Sequence, residues 1–177
     1  MIYIAQSIKT FQFGLNIWGG EADPKVIIFT WSFERSFGYN NWKTLLMHEI
    51  FQLWSAESIR YVDGREHWFN EGSTEYYTLR AAAQLDLISS EEALSIAAHP
   101  IGYYSSSKGL ENILMREAGK TNKTEFDNYF LVYNGGWIVA IVMDYKIRSM
   151  SKGKNSLNDL MKWMYKNFKR HEKLYSL

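Results

Sequence analysis

Apolar positions along the chain group into runs separated by short turns, and most of the runs are long enough for helices. Ile4 to Trp18 carries apolar side chains at mixed spacing and ends at Gly19-Gly20, which predicts a helix with a glycine stop. An Asp23-Pro24 turn then leads into Val26-Ile27-Ile28-Phe29, a short β-branched run that predicts a strand. Asn40 or Asn41 can cap a helix to about Trp54, in which Leu45, Leu46, Met47, Ile50, Phe51, Leu53 and Trp54 leave almost no polar face. That helix is expected to be buried on most sides, so its few polar residues carry information. Another helix is expected from Glu66–Trp68 through Ala83. A third opens at the capping-box pattern Ser89-Ser90-Glu91-Glu92 and runs to about Ala98.

Further on, Gly102 to Lys108 reads as a Tyr- and Ser-rich loop, and Leu110 to Ala118 as a helix stopping at Gly119. A buried helix is expected from Tyr133, or slightly later, to Arg148, and Ser156-Leu157-Asn158-Asp159 caps a last one to about Phe168. Both prolines, Pro24 and Pro100, are placed in turns. The pattern predicts five to seven helices against one or two strands.

Composition narrows the class. At 177 residues with 46% hydrophobic and 16% aromatic content, one domain with a sizeable core is expected. Lys plus Arg number 20 against 19 Asp plus Glu, with no basic block to neutralise a run of phosphates, so nucleic acid is not an expected partner. There is no cysteine, which excludes disulfides, thiolate nucleophiles and sulfur-ligated zinc; a metal site would need His, Asp, Glu or amide oxygens. Nothing approaches the ~20 apolar residues of a membrane span. Met1-Ile2-Tyr3-Ile4-Ala5-Gln6 lacks the basic start and apolar run of a signal peptide, so a soluble chain is expected.

The polar residues of the first strongly apolar helix are His48-Glu49 and Gln52. His48 and Gln52 are four apart and share a helical face, with Glu49 beside them. This is the spacing of the His-Glu-x-x-His zinc motif, with glutamine in place of the second histidine. Alone, such a pattern also describes an ordinary buried His-Glu pair. Eighteen residues separate Gln52 from Glu71, which lies within Trp68-Phe69-Asn70-Glu71-Gly72-Ser73-Thr74-Glu75-Tyr76-Tyr77.

On that motif and spacing the chain resembles the zinc aminopeptidases of the gluzincin type, whose third zinc ligand is a glutamate at this separation in a Trp-aromatic/Leu-x-Glu-Gly stretch. It is most similar to the glycyl aminopeptidase family, whose members usually add an N-terminal β-rich region and a C-terminal PDZ module. Leu53-Trp54, Ile59-Arg60, Thr74-x-Tyr76-Tyr77 and Leu87-Ile88-Ser89-x-Glu91-Glu92 carry the likeness, as do Tyr133-x-x-Gly136, Val139-Ala140, Asp144-x-x-Ile147-Arg148 and Ser156-Leu157-x-Asp159. Coverage runs from Asn41 to Phe168, and the first forty residues match least.

The resemblance implies a predominantly α fold: an α+β zincin-like, thermolysin-type catalytic domain over residues 1–177, with a small reduced sheet around Val26 to Thr30. It implies zinc held by His48, Gln52 and Glu71, with Glu49 taking a proton from the metal-bound water. Tyr133 would stabilise the oxyanion, and Glu34 would bind the substrate's free α-amino group. Gly72 would let the Glu71 helix approach the His48 helix closely. The family's basic residue after this tyrosine is Gly135 here, and Gln52 offers a neutral amide in place of an imidazole. His67, four residues before Glu71, is a candidate substitute ligand or else a helix-start residue.

Three readings stand at this point. The chain is a metallopeptidase cleaving peptides from a free N-terminus; or a pseudo-peptidase that binds a peptide or protein without cleaving; or a piece or altered form of an ordinary zinc aminopeptidase. Flanking domains or a partner chain are expected to complete the cleft wall.

Overall fold

The structure is a computed structural model that describes residues 19–23, 26–30, 42–62, 65–168 and 174–176. The expected helix over 4–18, the Asn40 or Asn41 cap, the Asp23-Pro24 turn and Glu34 lie wholly or partly outside these residues.

The fold is mainly α, as expected, and the expected α+β class with a small sheet is corrected. Among the described residues the strands are β1, Gly19–Asp23, and β2, Val26–Thr30, paired antiparallel from Gly19 opposite Thr30 to Asp23 opposite Val26. Two strands make a hairpin and not a sheet layer, and no described strand extends it. The β-branched run at 26–29 raises the expectation of a sheet, but among the described residues its strand pairs with β1 and with no further strand.

Helix α1, Trp42–Ser58, continues past Trp54. Ile50 and Trp54 are exposed, so the helix is less enclosed than its composition suggests. Helix α2, His67–Gln84, follows the expected bounds closely. Its entry is fixed by Glu66, fully buried, which pairs with Arg116 at 2.7 Å and accepts hydrogen bonds from Trp68 Nε1 and Ser176 Oγ. Helix α3, Ser90–Ser105, begins at the Ser89–Glu92 capping box and runs through Pro100 into the segment expected to be a loop.

The expected helix from Leu110 shrinks to α4, Met115–Ala118, because Glu111 takes the left-handed conformation at φ 66° and interrupts it. The short helix α5, Asn122–Asp127, capped by Thr121 and Thr124, is an addition to the expected elements. A π-helical turn at Phe130–Asn134 then runs directly into α6, Gly135–Met150. Helix α7, Leu157–Asn167, starts at a Ser156–Asp159 capping box.

Helix α2 lies at the centre, with α1 on one side and α6 on the other. Its approach to α6 is set by two glycines: a Cβ on Gly72 would overlap the backbone of Gly136, and one on Gly136 would overlap the carbonyl of Trp68. The close approach that Gly72 permits is therefore to α6, and not to α1 as expected. Asp144 ties the far end together. It accepts hydrogen bonds of 2.7 Å from the Tyr76 hydroxyl on α2, from Arg148 one turn along α6, and from the Leu157 N–H at the start of α7. Apolar clusters fill the gaps, one around Phe69, Met161 and Met164 and another around Leu79, Ile96 and Trp137. Each such side chain contributes on the order of 1.5–3 kcal/mol by leaving water. No helix among the described residues is long and apolar enough to cross a membrane.

Candidate functional site

The α1–α2 interface brings together the residues singled out by spacing. The i, i+4 geometry of α1 turns His48 and Gln52 toward α2, where Glu71 sits between His67 one turn before and Glu75 one turn after. Gln52 Nε2 lies 2.8 and 2.9 Å from the two Glu71 carboxylate oxygens and 3.0 Å from His48 Nε2. Turning this amide over would set its oxygen against two carboxylate oxygens, so the nitrogen faces inward and donates. His48 Nε2 is 3.2 Å from Glu71, and its Nδ1 is 3.3 Å from Glu75. Burial opposes charge on this imidazole, but Glu75 and Glu71 outweigh it and raise its pKa well above the ordinary value. Glu71 and Glu49 are only 3% and 2% exposed.

Zinc draws on deprotonated or neutral donor atoms at about 2.0–2.2 Å. Here Glu71 accepts from an amide nitrogen that also stands 3.0 Å from His48 Nε2, and that nitrogen carries protons and has no lone pair to give a metal. The set as arranged does not fit zinc. Among the described residues no group of three or more His, Cys, Asp or Glu side chains is arranged to hold a metal ion.

A second set adjoins the first through His67. Its Nε2 is 3.4 Å from Glu71 and 3.1 Å from Glu125 on α5, while Nδ1 is 2.8 Å from the Tyr61 hydroxyl. Tyr133 comes from the π-helical turn, where the extra residue per turn redirects side chains. Its hydroxyl donates to the same Glu125 oxygen at 3.1 Å, and its ring stacks on Tyr129 with centroids 4.2 Å apart. Burial, then Glu71 and Glu125, push the Tyr133 pKa upward, so the hydroxyl keeps its proton. Burial likewise opposes charge on both His67 and Glu125, yet their mutual contact outweighs it, raising the histidine and lowering the glutamate.

The structure thus gathers His48, Gln52 and Glu71, buries Glu49 on the same helix, and brings Tyr133 to the site's edge through Glu125 and His67. Glu34 lies outside the described residues. Where the family has a basic residue, a Cβ on Gly135 would already stand 3.0 Å from Met115 Sδ and the Tyr104 ring, so the position is closed to a long side chain without repacking. Sequence reasoning misses Glu75, Glu125 and Tyr61. Glu75 repeats the i, i+4 spacing from Glu71 and is within reach of that rule; nothing local marks Glu125.

No protein-family model matches the chain, and no curated protein matches it. Among solved structures it is similar to the crystal structure of an aminopeptidase N family protein from Idiomarina loihiensis, with a TM-score of 0.73 at 17% identity over 88% of this chain. The chain spans 31% of that protein's length. The likeness shows a shared fold, which is that of part of an aminopeptidase-type protein.

Proposed function

We propose that this domain keeps an aminopeptidase-type fold, descended from the zinc-dependent gluzincins and nearest the glycyl aminopeptidases, but binds a peptide or partner protein by its free N-terminus without hydrolysing it. The observation that supports the reading is the Gln52 amide nitrogen donating to both oxygens of Glu71, beside His48. In a zinc peptidase the metal polarises the scissile carbonyl and acidifies the attacking water. A neutral amide does neither, so Glu49 has no activated water to deprotonate. The carboxylates of Glu71 and Glu75 nonetheless supply acceptors suited to an ammonium group, and Tyr133 supplies a donor for a peptide carbonyl. Flanking domains or a partner chain complete the cleft.

The test compares the protein, purified without chelator and then zinc-soaked, with Gln52→His. Metal analysis and hydrolysis of short peptides with free N-terminal Gly or Ala are the readouts. We expect no stoichiometric zinc and no turnover in the natural sequence, and zinc uptake in the variant. Calorimetry with tetra-alanine should show binding that acetylation of its N-terminus abolishes. Equal zinc content and equal turnover in the two proteins would overturn the reading in favour of an unusual working site.

A further inference from the structure

Helix α5 is six residues long and buries none of them. A helix of that length is far below the roughly 12–15 residues at which helices begin to hold in water, so what keeps α5 in place must come from outside it. Its capping bonds are local, between Thr121 and Thr124, and Phe126 at its far side is 83% exposed. The chain on either side is anchored. Ala118 is buried before it, and the Asn128 side chain after it lies so close to Gly109 that a Cβ there would overlap it. Between these anchors, among the described residues, Glu125 alone carries a side-chain bond from α5 to another part of the fold. Both of its partners, Tyr133 and His67, belong to the candidate site.

We infer that α5 is a lid on the His67 side of the cleft, latched by Glu125, and that the arrangement seen is its closed, self-inhibited state. While closed, the Tyr133 hydroxyl donates to Glu125 and is not free to donate to a ligand. His67 is held in the same way. A ligand that takes over both groups releases the latch, since they are the two partners that hold Glu125. The part played by the ligand rests on the peptide-binding reading above; the latch itself does not.

Hydrogen exchange on the whole protein, followed by mass spectrometry, tests the latch without any ligand. Glu125→Ala should speed exchange across 119–128 by on the order of tenfold, the effect of losing charge-assisted bonds, with α2 and α6 unchanged. Glu125→Gln, which keeps an acceptor for Tyr133, should restore most of the protection. Unchanged exchange in Glu125→Ala, or a change spread through α2 and α6, would overturn the lid. With tetra-alanine as probe, the natural protein should show faster exchange at 119–128 on saturation, and Glu125→Ala should bind with a higher association rate. If the peptide binds neither protein while Glu125→Ala still loosens 119–128 alone, the latch holds and the peptide-binding reading fails. If the peptide binds both with equal association rates and leaves 119–128 unaltered, the gating role fails instead.

Discussion

Replacing Gln52 by leucine removes the amide and keeps a side chain of similar reach. The structure sets the size of the effect. Glu71 is 3% exposed and receives two contacts of 2.8 and 2.9 Å from this one nitrogen, a single shared donor and not two independent bonds. A hydrogen bond to a charged group contributes about 1.5–3 kcal/mol. The leucine recovers less than about 1 kcal/mol by burial, since position 52 is only half-buried. The donor loss wins, and the variant should be about 1–2 kcal/mol less stable, a fall of roughly 2–8 °C in Tm for a chain of this size. Urea unfolding followed by tryptophan fluorescence measures it. Gln52→Glu provides the converse. It sets a second carboxylate at about 3 Å from Glu71, where the two cannot both ionise, so one folded-state pKa rises. Stability held by a raised carboxyl is present below that pKa and lost above it, so this variant should be weaker than Gln52→Leu at neutral pH and recover on acidification toward pH 5. If Gln52→Leu matches or exceeds the natural protein, the amide does not bridge the two helices.

Two helical glycines give predictions of opposite sign. Gly102→Ala, on α3 with nothing within 4 Å of a new Cβ, should stabilise by up to about 1 kcal/mol through helix propensity. Gly72→Ala gains the same propensity but drives a Cβ into the Gly136 backbone, and overpacking of about 1–3 kcal/mol or more should leave it less stable; a Tm rise would refute the contact. Asp144 governs acid behaviour. Burial opposes its charge, but Arg148, the Leu157 N–H and the Tyr76 hydroxyl outweigh it and hold its pKa below the usual carboxylate value. Its stabilisation is therefore present above the unfolded value of about 3.9 and lost as the pH falls through the lowered folded one. Asp144→Ala should cost about 2–3 kcal/mol at pH 7, and the gap to the natural protein should close below about pH 4; a gap constant with pH would sink this account.

Helices with strong local signals are legible in the sequence. The Ser89–Glu92 and Ser156–Asp159 capping boxes announce their helices because side chain and backbone meet within a few residues. Elements decided by distant contacts are not. Leu110 to Ala118 has an apolar pattern that suits a helix, but the left-handed Glu111 ends that possibility, and no propensity argument expects a non-glycine residue there. Gly72 marks a point of close approach without naming the neighbour. A missing Cβ says that something comes near, while the partner, Gly136, lies on a helix whose register only the fold determines.

The site divides in the same way. Spacing of four along a helix names the residues that share a face, and so His48 pairs with Gln52, and His67 with Glu71, on the amino-acid sequence alone. Spacing cannot name the atom that stands between them. With histidine at position 52, two imidazoles and a carboxylate would converge as acceptors and leave room that a cation must fill. With glutamine, the side chain brings its own protons into that room and satisfies the carboxylate directly. A histidine there would need a cation to close the site, whereas the glutamine closes it with its own protons. The inward-facing carboxylate is thereby held across the α1–α2 interface by a donor that α1 itself supplies.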